Sequence, residues 1–173
     1  MRVQVVGGSG CGKTTFARRL AAARGVPHVE LDALHHLPGW QERPDGELRA
    51  LYVEATTGPA WVADGNYWTA IGDLVLELAD LVVWLDVPRL LASRRVLLRT
   101  IRRSLTREEL WHGNRESLRH LLSRDPHRSI LAWSWTQHSR YRELYAPLAT
   151  GRRWRRVGTP AEVERLLRQL SQA

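Results

Sequence analysis

The chain has 173 residues, of which 43% are hydrophobic, and it carries a formal net charge of +8. This length predicts one domain with a substantial core, and no apolar run is long enough to predict a membrane-spanning helix. The single cysteine excludes an internal disulfide and any multi-cysteine zinc site. Because the N-terminus does not resemble a secretory signal, we expect a cytoplasmic protein.

Short apolar runs alternate with segments of helical periodicity along the whole chain. This alternation predicts a doubly wound α/β fold with a parallel sheet. Strands are predicted at 2–6, 28–31, 61–63, 81–85 and 154–157. Helices are predicted at 14–24, 45–57, 69–79, 88–105, 129–146 and from 159 onward. The segment 106–128 is polar and mixed, and no repeat or linker indicates a second domain.

The segment from Gly7 to Thr14 matches the phosphate-loop pattern G-x-x-x-x-G-K-[ST] at every fixed position. It lies between a predicted strand and a predicted helix, which directs backbone N–H groups toward an anion. Lys13 is the only lysine among the 26 Lys and Arg residues, and its compact ammonium suits nucleotide phosphates. A plain glycine-rich turn is the alternative. The predicted phosphate-binding residues are Gly8, Ser9, Gly10, Cys11, Gly12, Lys13, Thr14 and Thr15.

The loop also contains the only cysteine, Cys11. Two interpretations are open for it. The residue is a small filler, or the surrounding N–H donors lower its pKa and make the thiol sensitive to oxidants.

Three carboxylates follow predicted strands, at the edge where open α/β sheets bind ligands. Asp64 suits the coordination shell of a magnesium ion held together with Thr14, although an aspartate before Gly65 is also common in turns. Asp32 can take a proton from an acceptor hydroxyl, or it is only a cap. Asp86 is predicted to cap the helix that follows it.

In the predicted helix 88–105, Arg95, Arg99 and Arg103 recur at i, i+4 spacing and form one stripe. Phosphoryl transfer spreads negative charge over oxygens that arginines stabilise, so Arg95 and Arg99 are predicted to be catalytic. A solvated helix face is the alternative. Trp40 and Trp68 are predicted in loops near the active edge, where they can stack on a base or sugar.

Together these motifs resemble the adenylate-kinase-like P-loop kinases, and among them the bacterial DNA topology modulation proteins. The segments that carry the resemblance are 7–14, 31–35, 61–67, 85–89 and 111–116. The resemblance implies a three-layer fold with a five-stranded parallel sheet in the order 2-3-1-4-5, helices on both faces and a helical lid. It also implies an acceptor-binding region near 32–60, a lid near 94–128, and adenine contacts from Gly158 and Thr159.

One departure from the adenylate kinase pattern bears on the acceptor. After the third strand, the segment 64–68 reads Asp-Gly-Asn-Tyr-Trp and lacks the arginine that holds a monophosphate in those kinases. A hydroxyl acceptor is therefore left open beside a nucleotide.

The sequence thus predicts a phosphotransferase that uses ATP and Mg²⁺ and acts on a nucleotide, a nucleoside or another small hydroxyl compound. Lys13 holds the phosphates, while Thr14 and Asp64 hold the metal. The alternative is an ATP-binding, nucleic-acid-associated protein without a small-molecule acceptor, which the basic stretch 152–156 around Trp154 would favour. In the first case, nucleic acid binding is expected to be weak and non-specific.

Overall fold

Five parallel strands form one sheet in the computed structural model, which describes residues 1–116 and 130–172. The strand order β2-β3-β1-β4-β5 agrees with the order that the resemblance implies. The strands are β1 (Arg2–Val6), β2 (His28–Glu30), β3 (Trp61–Asp64), β4 (Leu81–Leu85) and β5 (Trp154–Val157). The central strand is β1, in which Val5 pairs with Asp64 of β3 on one side and with Val83 of β4 on the other.

Helices connect the strands and cover both faces of the sheet. They are α1 (Lys13–Arg24), α2 (Leu31–His35), α3 (Asp45–Ala55), α4 (Trp68–Leu78), α5 (Arg89–Thr106), α6 (Ile130–Tyr145) and α7 (Pro160–Gln172). All the predicted helices are present within a few residues of their expected bounds. The short helix α2 was not predicted, and it places Asp32 in a first helical turn rather than at the end of β2.

The hydrophobic core has two halves, one on each face of the sheet. On one face Phe16 and Leu20 of α1 pack with Leu166 of α7. On the other face Tyr52 of α3 packs with buried aromatic side chains that include Tyr145 of α6. This three-layer arrangement buries apolar side chains of the helices against the sheet, which is the main driving force for the fold.

Trp68 belongs to the second half of the core and does not lie in a loop as predicted. It is the first residue of α4, and its ring lies 5.4 Å from that of Tyr145 and 5.7 Å from that of Trp154. Its ring is partly buried against this half of the core, so the prediction of a loop position is wrong, and stacking on a ligand stays a prediction.

Asp86 has a different role from the predicted helix cap. The N-cap of α5 is Pro88, which has no side-chain cap bond. The buried Asp86 carboxylate instead accepts hydrogen bonds from Arg142 and Arg156. It therefore ties α6 and β5 to the end of β4.

The predicted lid, 94–128, is only partly covered by the described residues. Helix α5 runs without a break to Thr106, and residues 117–128 of the lid lie outside the described ranges. Among the residues that are described, no helix is both long and apolar enough to cross a membrane.

Candidate functional site

The phosphate loop has a backbone shape that requires glycine at two of its positions. Gly7 and Gly10 have φ angles of 141° and 78°. A β-carbon would lie 2.5 Å from the Leu85 carbonyl oxygen at Gly7 and 2.3 Å from the Ala92 carbonyl oxygen at Gly10. These close approaches pack the loop against β4 and α5. The loop then leads through Gly12, the N-cap of α1, into the helix.

Lys13 is half-buried, and its ammonium turns back over the loop. Its Nζ donates a hydrogen bond to the Gly8 carbonyl oxygen at 3.3 Å. Burial by itself lowers the pKa of Lys13, but negative groups around it, including Asp32 and Asp64, outweigh burial and leave the pKa raised. The side chain is therefore a positive charge at the centre of the loop at neutral pH.

Cys11 behaves as a filler residue. It is 3% exposed, and burial raises the pKa of its thiol. Because the neutral thiol is a poor nucleophile, the interpretation as an oxidant-sensitive cysteine is wrong.

Asp64 lies at the end of β3, directly below the mouth of the loop. Its Oδ2 accepts a hydrogen bond from the Thr14 hydroxyl at 2.8 Å. Its Oδ1 lies 2.7 Å from Nε2 of His28. The carboxylate is only 2% exposed, so these two bonds compensate for its burial. The structure thus brings together the two residues predicted to hold a metal.

Asn66 is a functional-site residue that the sequence prediction missed. Its Oδ1 accepts a hydrogen bond from the Gly7 N–H at 2.9 Å, and its Nδ2 donates one to the Gly7 carbonyl oxygen. The Tyr145 hydroxyl of α6 reaches the same amide, at 3.5 Å from Oδ1. One side-chain amide therefore fixes the first residue of the phosphate loop and links it to α6.

Asp32 lies in the first turn of α2, close enough to Lys13 of the phosphate loop for its charge to act on that ammonium. Its Oδ1 accepts a hydrogen bond from the Tyr67 hydroxyl at 2.9 Å. Burial, and then the charge of Asp32, raise the pKa of that hydroxyl, so Tyr67 stays a donor. Within residues 1–116 and 130–172, no hydrogen bond is present to the other oxygen of Asp32.

The three arginines of the predicted stripe have different surroundings. Arg95 is exposed, and its Nη1 donates to the Cys11 carbonyl oxygen at 3.4 Å. Arg103 is paired with Glu108 and Glu116. Arg99 is half-buried, and among the described residues it has no ion-pair partner.

Among negative groups, the charge of Glu116 and, less strongly, that of Asp32 act on the Arg99 guanidinium. Burial, followed by the charge of Arg103, lowers the pKa of Arg99, but an arginine remains charged at neutral pH. A partly buried cation of this kind is a site for an anion.

A pocket of about 240 Å³ lies beside the phosphate loop, where it is bordered by residues of α1, α5 and α7. It is lined by Gly12 and Thr15 of the loop and α1, by Arg95 of α5, and by Pro160 and Val163 of α7. The pocket therefore adjoins the place where phosphates would bind, and one wall of it is a guanidinium.

Gly158 and Thr159, which the resemblance assigns to adenine, lie directly before this pocket. Both backbone N–H groups donate to Oε2 of Glu162, at 2.8 and 3.0 Å. The Thr159 hydroxyl in turn accepts from the Glu162 N–H at 3.2 Å. This capping box occupies the two N–H groups, so Pro160, rather than Gly158 or Thr159, faces the pocket.

The segment 110–116 docks on the segment 33–42. Asn114, which is 4% exposed, accepts a hydrogen bond from the Trp40 N–H and donates one to the Leu37 carbonyl oxygen, both at 2.9 Å. The ring of Trp111 stacks on His36 with a centroid distance of 5.7 Å. The predicted loop residue Trp40 therefore belongs to a contact between the acceptor region and the base of the predicted lid.

The basic stretch 152–156 is partly occupied by contacts within the fold. Within the described ranges, no group of three or more His, Cys, Asp or Glu side chains is arranged to hold a metal ion. In the basic stretch, Trp154 is only 6% exposed, and Arg153 bonds to the Leu76 carbonyl oxygen.

Three site residues were missed because their signal is tertiary. These residues are His28, Asn66 and Tyr67, and their types and sequence positions do not by themselves indicate a functional site. Only the register of β2 against β3 places His28 within reach of Asp64. The position of Asn66, two residues after an aspartate at a strand end, was the one local signal that could have identified it.

Neither a protein-family model nor a curated protein matches this chain. Among solved structures, 157 chains match. One is a shikimate kinase from Bacteroides thetaiotaomicron, which is 15% identical with a TM-score of 0.58, and the match covers 99% of this chain and 97% of that chain. Another is a gluconokinase from Sinorhizobium meliloti 1021, at 19% identity and a TM-score of 0.59, covering 99% of this chain and 89% of that chain.

These similarities show that the chain has the fold of the P-loop kinases. The predicted five-stranded sheet and its strand order are therefore confirmed. The narrower resemblance to the DNA topology modulation proteins stays a prediction.

Proposed function

We propose that this protein transfers the γ-phosphoryl group of ATP to a hydroxyl group of a small molecule. The observation that carries the proposal is the bond between Thr14 and Asp64 at the phosphate loop, 2.8 Å long, together with a second carboxylate, Asp32, whose charge also acts on Lys13. One carboxylate serves the phosphates of the donor, and the other serves the acceptor. A protein that only bound ATP would have no use for the second.

The donor phosphates bind the loop. The N–H groups of the loop and the ammonium of Lys13 surround the β- and γ-phosphates. The Thr14 hydroxyl and the Asp64 carboxylate are hard oxygen donors of the kind that Mg²⁺ prefers, and they are already adjacent, so these two residues would hold the ion. When bound, Mg²⁺ neutralises part of the charge on the phosphates.

The base of ATP binds in the pocket beside the loop. The flat guanidinium of Arg95 and the ring of Pro160 are two of its walls, and a planar cation stacks well on an aromatic ring. Arg95 then positions the nucleotide, whereas the sequence prediction assigned it to the transferring group.

Arg99 serves the transferring phosphoryl group. It is a partly buried cation without an ion-pair partner among the described residues, and the charge of Asp32 acts on it. Its charge costs no reorganisation when the equatorial oxygens become more negative. This agrees with the catalytic role predicted from the sequence.

Asp32 orients the acceptor. Tyr67 holds one carboxylate oxygen by a hydrogen bond of 2.9 Å, which leaves the other oxygen for the acceptor. That oxygen accepts a hydrogen bond from the acceptor hydroxyl and takes its proton late in the transfer. A phosphate at the same place would be repelled, so a hydroxyl is favoured over a monophosphate.

The test is a coupled assay of ADP release over nucleosides, nucleoside monophosphates and small hydroxyl metabolites. We expect ADP release that requires both Mg²⁺ and a hydroxyl compound, with K13A as the inactive control. Release that occurs only with monophosphates, or that no acceptor stimulates, would contradict the proposal.

Nucleic acid binding is supported by the net charge of +8, but the basic stretch around Trp154 is less available than the sequence indicated. Arg156 is bonded to Asp86, and the ring of Trp154 is buried. We therefore expect only weak, sequence-independent binding that disappears at moderate ionic strength. A salt titration of DNA affinity measures this, and tight, selective binding at physiological salt would favour the nucleic-acid function instead.

A further inference from the structure

His28 contacts the candidate metal ligand but has no role in the steps above. It is the first residue of β2, where it pairs with Val62 of the neighbouring strand. Its side chain is 19% exposed, and its Nε2 lies 2.7 Å from Oδ1 of Asp64. Since a carboxylate only accepts hydrogen bonds, Nε2 is the donor.

The geometry around Asp64 shows what this bond does. The terminal torsion of an aspartate is broad, so a single bond from Thr14 would leave the plane of the carboxylate free to turn. A second donor on the opposite oxygen fixes that plane. His28 and Thr14 approach the two oxygens from different elements, β2 and α1, and together they leave Asp64 one orientation.

A second carboxylate makes this restraint more important. Glu30 is two residues after His28 on the same strand and pairs with Asp64 in the sheet. Burial, and then the charge of Asp64, raise the pKa of Glu30. Asp64 therefore has an acidic neighbour on β2, while His28 and Thr14 donate to its two oxygens.

We propose that His28 is a positioning residue, whose imidazole holds Asp64 in the orientation that binds the metal–nucleotide complex. This inference rests on the proposed function. It assigns no contact between His28 and substrate, and it predicts an effect on metal affinity that a merely structural residue would not have.

The test compares H28Q with H28F. The amide nitrogen of glutamine can reach Asp64 as a donor, whereas phenylalanine keeps the ring volume without a donor. The probe is Mn²⁺ bound to the protein with a non-hydrolysable ATP analogue, followed by electron paramagnetic resonance. We expect H28F to weaken Mn²⁺ affinity by about 10- to 100-fold and H28Q by only about threefold or less.

R2Q is the matched control. It removes the side-chain ion pair between Arg2 of β1 and Asp80, the residue before β4, and it leaves the backbone N–H bond of residue 2 to Asp80 in place. We expect R2Q to lower the melting temperature without changing Mn²⁺ affinity. If H28F does not fold, H28N replaces it, because its shorter amide cannot span the distance to Asp64.

Two outcomes overturn the inference, and they are distinguishable. If the donor-deficient variant binds Mn²⁺ as tightly as the wild type and only its melting temperature falls, His28 is structural. If the wild-type protein binds neither the ATP analogue nor Mn²⁺ with it, the proposed function fails first, and the role of His28 fails with it.

Discussion

The proposed donor side and the proposed acceptor side of the candidate site are built differently. On the donor side, the phosphate loop, Asp64 and Asn66 all come from the adjacent strand ends of β1 and β3. On the acceptor side, Trp40 meets a residue from much later in the chain, and the bond between Trp40 and Asn114 joins residues 74 positions apart. The donor side is therefore positioned by the sheet, and the acceptor side by side-chain contacts between loops.

This difference teaches where specificity lies. Strand ends recur in every protein of this fold, so they suit a ligand part that is always the same, the phosphates. Loops are free to vary on a rigid scaffold, so they suit the acceptor. Changes on the donor side should affect turnover with any acceptor, whereas changes on the acceptor side should depend on which acceptor is used.

The largest effect is expected for Lys13. K13A should reduce phosphoryl transfer to the rate without enzyme, because the only ammonium at the loop is lost. K13R should fail as well, since the planar head does not fit the place of the ammonium. Steady-state ADP release measures both variants, and circular dichroism checks that the fold is intact. Normal turnover in K13A would rule out the phosphate-loop function.

The next largest effect is expected for Asp32. D32N keeps the size and hydrogen bonding of the side chain but removes the charge, so kcat should fall by about two to four orders of magnitude. The KM for ATP should stay nearly unchanged, because the donor side is intact. Y67F is the companion variant, and it should cost only about tenfold because the carboxylate itself remains.

The opposite result for D32N would redefine the acceptor side. If kcat stays near normal and the acceptor KM improves, the charge of Asp32 is a repulsive element. The acceptor would then be a monophosphate, and the general-base role would be wrong.

A smaller effect should separate Arg99 from Arg95. R99Q should lower kcat about 100-fold with little change in the KM for ATP, because this cation acts on the transferring group. R95Q should raise the KM for ATP about tenfold with kcat nearly unchanged, since Arg95 borders the pocket for the base. R102Q, an exposed position on the same helix, is the control. If R99Q instead raises the KM for ATP and R95Q lowers kcat, Arg95 acts on the transferring group and Arg99 positions the nucleotide.

The smallest effect on turnover is expected for Asn114, which joins the two loops of the acceptor side. N114A leaves the Trp40 N–H and the Leu37 carbonyl without their partner, so the free energy of unfolding should fall by about 2 kcal/mol. The acceptor KM should rise several-fold while the KM for ATP stays constant. R115A, next to it on an exposed surface ion pair, should change neither. A rise in the KM for ATP in N114A would show that the two sides are not independent.

The sequence alone was sufficient for most of the fold. Within the described residues, apolar runs at strand length and helical periodicity placed every strand and all but one of the α-helices, because burial leaves a periodic pattern of apolar residues in the local sequence. The phosphate loop could be identified for a stronger reason. Its backbone shape requires glycine at Gly7 and Gly10, so the residue types by themselves indicate it.

Where the prediction failed, residue type was compatible with several environments. Trp68 was expected in a loop but packs against the core, and Asp86 was expected as a cap but anchors two arginines. An aromatic ring or a carboxylate near a strand end has no local signal that distinguishes these roles. Only packing against α6, whose place on the sheet the sequence does not show, decided them.

The residues of the candidate site also fall into those that the sequence indicated and those that only the tertiary structure brought together. The residue types and spacing from Gly7 to Thr14 determined the phosphate loop, since backbone geometry there depends on neighbours in sequence. The tertiary structure alone decided that His28 contacts Asp64 and that Asn66 is hydrogen-bonded to Gly7. It also decided that the segment 110–116 packs on the segment 33–42. The physical reason is that a hydrogen bond between distant residues depends on strand register and loop docking, which no short stretch of sequence encodes.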